Sequence, residues 1–270
     1  MSRVKRMERV VALTKHLVDH PYELYPFSFF CEKFGVAKST LSEDVQVVKN
    51  GLASYDMGAV ETVAGAAGGV RFIPSHSEDS NMEFLRKLAK RLCEPDRILS
   101  GGMIYMNDLL FMPEIAMRLG EIIMQETKEL CPNYIMTVET KGIPLALFVA
   151  RAYNIPLVVA RREARITEGS SVSINYVSGS TRRIQTMSLP KRSLPQNAKV
   201  LIVDDFLKAG GTARGMQELV QEVGATVVGT GFLISTKSPE KKMLNGYFSL
   251  FVLNDIDEEN KKTELVPVVM

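Results

Sequence analysis

Apolar side chains at Met7, Val10, Val11, Leu13, Leu17 and Val18 recur at close to helical spacing. This predicts an amphipathic helix over residues 4–18, ended by His20 and Pro21. A second, shorter helix fits FSFFCEKFG, with Ser28 expected as its N-cap and Gly35 as its stop. The stretch VAKSTLSEDVQVVKN reads as a third helix, capped near Ser39 and carrying Leu41, Val45 and Val48 on its inward side. The period then changes to alternation. Val60 and Thr62, then Val70 and Phe72, flank the glycine-rich GAAGG and predict a two-stranded hairpin closed by Pro74. Two helices joined by a tight turn, a third packed behind and a following hairpin make a winged helix over residues 1–74. The polar SHSEDSN reads as a linker.

From residue 81 onward, helical and strand patterns alternate. Helices are expected at 81–93 and 113–127, a strand at YIMTV (134–138), a helix from Gly142 to about 153, and a strand at PLVVA (156–160). RIQTMSL is strand-like; KVLIV (199–203), a helix from about 212 to 223 and TVVGTGFLI (226–234) complete the series. Such alternation argues a mostly parallel sheet covered by helices, with ligands gathering at the carboxyl ends of the strands. The second domain is therefore expected over residues 75–270. The Ser-, Gly- and Arg-rich stretch 161–183 reads as a long loop, and the charged tail 255–264 as a solvated surface segment.

Composition narrows the functional classes. A hydrophobic content of 46% against 24% charged residues excludes wholesale disorder. The net charge of +2 requires that any nucleic-acid surface come from local clusters of Lys and Arg. Cys31, Cys93 and Cys131 are scattered without CxxC spacing, and His16, His20 and His76 form no ligand pattern with them, so no metal site is expected. Scattered thiols, a charged amino terminus and no apolar run near the roughly 18 residues of a membrane span predict a soluble, cytoplasmic protein without membrane contact.

The chemistry concentrates in VLIVDDFLKAGGTARGM (200–216). An aliphatic strand delivers Asp204 and Asp205 at its carboxyl end, and KAGGT opens the next helix. A glycine turn at a helix start favours an anion, which two carboxylates would repel. The ligand must offer something to each. A sugar phosphate does so: its vicinal hydroxyls donate to the carboxylates, and its ester accepts from the N–H groups of Ala209 to Gly211 and from the Thr212 hydroxyl, with Lys208 adding positive charge. A second candidate turn, VETKGIPLA (138–146), also follows a strand and opens a helix. Between Arg161 and Arg192 there are seven Lys and Arg against two acids, an excess able to close over an anion. At the amino terminus, Arg3, Lys5 and Arg6 form a basic start. Lys38, Ser39, Thr40, Ser42 and Lys49 line or flank the exposed side of the third helix, with Arg71 on the hairpin, which suits contacts to DNA phosphates. Glu43 and Asp44 on that helix oppose them.

VDDFLKAGGT resembles the phosphoribosyl-diphosphate motif of the type I phosphoribosyltransferases. With TKGIPLA, TEGSSVSINYVSGS and RIQTMSL in this order behind a winged helix, the chain closely resembles the bacterial purine operon repressor family over essentially its whole length. The resemblance implies an α/β fold class: an N-terminal winged-helix domain followed by a mostly parallel α/β sheet domain of type I phosphoribosyltransferase fold. It also implies a dimeric regulator of purine genes that binds duplex DNA and is released by phosphoribosyl diphosphate, with Mg²⁺ and without transferase activity. In some members guanosine tetraphosphate competes at the same site. By position, it makes Asp204, Asp205, Phe206, Leu207, Lys208, Ala209, Gly210, Gly211 and Thr212 the ribose-5-phosphate site. Thr140, Lys141 and Gly142 become the diphosphate loop, Arg161 and Arg162 flanking cations, and Tyr105 a lining residue. Lys208 stands where catalytic transferases commonly carry a small hydroxyl residue. The alternative expectation is a working phosphoribosyltransferase with an accessory module.

Overall fold

The structure is a computed structural model that describes residues 5–65, 68–162, 169–177 and 183–268. The chain forms two compact units, Met1–Glu78 with Arg151–Asn154, and Asp79–Ala150 with Ile155–Met270.

The first unit contains α1 (Arg6–Asp19), α2 (Phe27–Phe34), α3 (Lys38–Ser54), β1 (Ala59–Val63) and β2 (Gly69–Ile73). The helical spacing read from the sequence delivers Leu13 and Leu17 of α1, Phe30 of α2, and Leu41, Val45 and Val48 of α3 to one core, which Val60, Val70 and Phe72 of the β1–β2 hairpin close. Gly35 ends α2 in the left-handed conformation (φ 64°), so α3 can begin three residues later. The expected hydroxyl caps are not used. Pro26 and Ala37 hold the N-cap positions of α2 and α3 in extended conformation, leaving Ser28 and Ser39 inside the first turns. The β1–β2 strands pair antiparallel, with Glu61 opposite Arg71.

The second unit continues from α4 (Glu78–Leu92) through β3 (Ile98–Leu99), β4 (Met103–Ile104), α5 (Asn107–Leu110), α6 (Pro113–Thr127), β5 (Tyr134–Val138), α7 (Ile143–Tyr153) and β6 (Leu157–Ala160). There follow β7 (Ser171–Val177), β8 (Ile184–Pro190), β9 (Lys199–Leu207), α8 (Gly211–Glu222), β10 (Thr226–Thr236), β11 (Phe248–Asp257) and β12 (Lys262–Pro267). Six strands form one sheet in the order β12-β11-β10-β9-β5-β6. All its pairings are parallel except that of β11 with the outer strand β12. Val200 to Val203 of β9 are fully buried, and Met216, Leu219 and Val220 of α8 pack on this face with Tyr176, Met187 and Leu189 of the β7–β8 hairpin.

The tail 255–264 is exposed or half-buried, as a solvated surface segment should be, and carries the end of β11, a turn and the start of β12. Its charges belong to the outer edge of the sheet, where charged side chains discourage further pairing. One expectation needs correction: stretch 161–183 contains β7, whose polar SVSINYV faces solvent at alternate positions and therefore lacked the apolar run expected of a strand.

Candidate anion cleft and nucleic-acid face

The cleft forms where strands part company. β9 pairs with β10 as far as Leu207, with Asp204 opposite Phe232, but with β5 only through Tyr134–Met136 against Val200–Ile202. Beyond Ile202 the two neighbours diverge, and Asp204 and Asp205 emerge at that opening. This is the position at which open parallel sheets hold ligands. Gly142 fills the gap from the other side. A Cβ at this residue would collide with Asp204 Oδ1 and Thr137 Oγ1, so only glycine lets the loop after β5 approach the carboxylates.

The two acids are electrostatically costly. Burial pushes the Asp204 carboxyl well above the usual carboxylate range, and the adjacent Asp205 charge raises it further. Burial also raises Asp205, against the opposing pull of its hydrogen bond with Asp204 and of the Lys141 charge. Each would be relieved by a ligand that donates hydrogen bonds or brings a cation.

After β9 the chain turns through Lys208–Gly210 into α8. Gly210 is the N-cap residue, with φ 92°, and the first turn of α8 contains no acid and accepts no side-chain cap. Its N-terminal amides are thus available to an anion. A small cavity of about 110 Å³ is lined by Asp204 and by this turn from Phe206 to Thr212. Leu207 lines this cavity and also packs into the core formed with Ala213, Phe232 and Leu244.

A larger cavity of about 450 Å³ brings together Thr140, Lys141, Arg162, Asp204, Asp205, Phe206 and Thr212. Thus the two separate sequence segments, 138–146 and 200–216, meet. Glu139 organises this side, accepting the Arg162 N–H at 2.7 Å and lying 3.9 Å from Arg161 Nη1. Two candidates lie elsewhere. Arg161 lines a different groove, with Pro156–Val159, Pro190 and Arg192, because its backbone pairs with Ser188 of β8. Tyr105 lines neither cavity; its backbone is held by Arg97, which donates to its carbonyl at 3.2 Å. Asn107 and Phe111 line the larger cavity and were not singled out from the sequence. They belong to a stretch with no clear period, and only tertiary packing brings them here. Asn107 Oδ1 is buried without a hydrogen-bond partner among the described residues.

On the first unit, Lys38, Ser39, Ser42 and Lys49 of α3 are exposed, and Thr40 is half-buried. Lys38 and Ser42 border a concavity of about 750 Å³ with Ser28, Cys31, Thr62 and Gly65, between the helices and the β1–β2 hairpin. Gln46 and Asn50 continue the row at i+4 spacing and share a hydrogen bond of 2.7 Å; they are exposed amides missing from the sequence reading. Asp44, expected to weaken this face, points inward. It is 1% exposed and accepts from Arg9 Nε at 2.8 Å and Arg6 Nε at 3.3 Å. Arg6 is therefore partly engaged within the fold. So is Arg71, which pairs with Glu61 at 2.6 Å and lies over the Tyr22 ring. Lys5 is exposed at the start of α1, and Arg3 lies outside the described residues. No helix among the described residues is long and apolar enough to cross a membrane.

Comparison with known proteins matches this arrangement unit by unit. The family model for the bacterial purine repressor N-terminal domain matches residues 5–74, and the phosphoribosyl transferase domain matches residues 107–267. The purine biosynthesis transcriptional repressor PurR of Bacillus subtilis (strain 168) is 43% identical over 263 residues, covering 97% of this chain and 92% of that protein. The purine biosynthesis transcriptional activator PurR of Lactococcus lactis subsp. lactis (strain IL1403) is 37% identical over 262 residues, 97% of each chain. Among solved structures, adenine phosphoribosyltransferase from Thermoanaerobacter pseudethanolicus covers 62% of this chain and 98% of its own length, at 18% identity and a TM-score of 0.54. At that identity the likeness establishes a shared fold.

Proposed function

Because the chain belongs to the bacterial purine biosynthesis transcriptional regulator family, we propose that it represses purine genes by holding promoter DNA through α3 and the β1–β2 hairpin and lets go when phosphoribosyl diphosphate fills the cleft. One observation carries this reading: a carboxylate pair at the end of β9 and the acid-free start of α8 face the same ligand-sized space. The ribose hydroxyls would donate to Asp204 and Asp205, the 5-phosphate would accept from the Ala209–Thr212 turn, and the diphosphate would lie along Thr140–Gly142 near Arg162. Mg²⁺ would arrive on the diphosphate oxygens, offsetting their charge. Guanosine tetraphosphate, with phosphates at both ends of its ribose, would compete for the same donors. A homodimer would present two α3 helices to two half-sites.

The chain acts in this reading as a sensor and not as a transferase. A gel shift on purine-promoter DNA should show release as phosphoribosyl diphosphate is titrated, and none with adenine nucleotides. The double variant Asp204→Ala, Asp205→Ala should stay on DNA at every effector concentration. An unchanged effector response in that variant would remove the cleft from the mechanism. Release of diphosphate above background with purine bases or orotate would instead establish an active phosphoribosyltransferase.

A further inference from the structure

Lys242 is a buried lysine that no carboxylate among the described residues pairs with. It lies in the segment between β10 and β11, where Lys241, Met243 and Asn245 are exposed while Lys242 and Leu244 turn inward. Its ammonium donates to the Thr236 carbonyl at 2.6 Å and to Thr236 Oγ1 at 3.0 Å, both neutral oxygens at the end of β10. Burial alone shifts its pKa downward, and no acid opposes that shift. A desolvated cation without a counter-charge is costly, and Lys241, next in the chain, shows that a solvated place was one residue away.

What Lys242 holds is the underside of the anion turn. The next residue, Met243, donates its N–H to the Ala209 carbonyl at 2.8 Å. Leu244 packs directly beneath Gly210, where a Cβ on the glycine would strike Leu244 Cδ2. Thr236 Oγ1, which Lys242 grips, lies 3.5 Å from the Lys208 carbonyl and donates to Ser238 at 2.7 Å. The ammonium is therefore two hydrogen-bond lengths from the turn's own backbone. Three successive turn residues, Lys208, Ala209 and Gly210, are thus touched from below by the segment that Lys242 anchors.

We propose that Lys242 is a positioning residue for the phosphate of the ligand: it pins residues 236–244 under the Lys208–Gly210 turn and supplies, from beneath, positive charge that the bound ester balances. The proposal rests on the reading of that turn as a phosphate cradle. It sets apart the turn, which takes the sugar ester, from the Thr140–Gly142 loop on the other side of the carboxylates.

Calorimetry on the full chain with two probes separates the possibilities. Ribose 5-phosphate addresses the turn, and inorganic diphosphate the loop after β5. Lys242→Met should weaken ribose 5-phosphate about tenfold, a loss of the size expected when one charge-assisted interaction goes. It should leave diphosphate unchanged, and Lys242→Arg should recover most of the loss. Leu244→Ala, which keeps the ammonium and removes the plug under Gly210, should show the same selective weakening and decides the matter if Lys242→Met does not fold. Equal weakening of both probes without rescue by arginine would reduce Lys242 to a general structural role and overturn the proposal. So would normal ribose 5-phosphate binding by Lys242→Met or Leu244→Ala. Absence of ribose 5-phosphate binding in the unaltered chain would overturn the cradle itself, and the proposal with it.

Discussion

Asp204 ionises against its surroundings, and the direction of its shift sets a pH dependence. Its carboxyl is raised in the folded chain by burial and by Asp205, so the folded state holds the proton more tightly than the unfolded state does. The stability associated with that proton is fully present below the ordinary carboxylate pKa and is lost as pH rises through the elevated native value. Asp204→Asn should therefore stabilise the empty protein at pH 7 by about 1 kcal/mol, roughly 2–4 °C in Tm for a domain of this size. The gain should close as the pH approaches about 4, where the native acid is itself neutral. Thermal melts between these limits check it. The residues of the cleft were unequally legible in the sequence. Asp204 to Thr212 lie together on one strand and one turn, so their order alone betrayed them. Asn107 and Phe111 reach the larger cavity, and Lys242 the segment beneath the turn, by tertiary packing, and nothing in their local sequence marks them. Lys242 is hidden further by sitting beside a second lysine with the opposite orientation.

Among the elements, α3 shows how a helix face can mislead. Its sequence places Glu43 and Asp44 next to Ser42, and a charge count treats both as repelling DNA. The fold sorts them: Asp44 lies at the position that faces α1, where Arg9 and Arg6 meet it, and Glu43 stays exposed. Asp44→Ala removes a negative charge from the helix proposed to meet DNA and yet should weaken DNA binding, because α3 loses its tie to α1. The cost should be about 2–3 kcal/mol, that of a buried charge-assisted hydrogen bond, measurable by urea denaturation alongside a binding isotherm. The helices of this unit were readable because burial follows a single 3.6-residue period in each. β7, β11 and β12 were not. β7 is a polar strand of a hairpin that sits apart from the main sheet, and the end of β11 with β12 carries the charges that protect a sheet margin.

For the molecule as a whole, the proposed release from DNA by phosphoribosyl diphosphate requires effector and DNA to oppose each other with one coupling free energy. The factor by which phosphoribosyl diphosphate lowers DNA affinity should equal the factor by which DNA lowers effector affinity. Titrations run in both directions test that equality. Lys38→Ala should weaken DNA binding without touching effector affinity and should reduce the salt slope by about 0.9 if its ammonium meets one phosphate; affinity measured across a salt series checks it. The order of domains, the parallel sheet and the two turns that line the cleft could be inferred before any coordinates, since each lies where the pattern of the chain changes.

β9 lies in the interior of the main sheet, with β10 bonded along nearly its whole length and β5 along its first half. Asp204 and Asp205, proposed to hold the sugar, are thus fastened to a strand with hydrogen-bonded neighbours on both sides. If the cleft takes its ligand as proposed, the response has to pass through what borders that strand, the loop after β5 and the turn into α8.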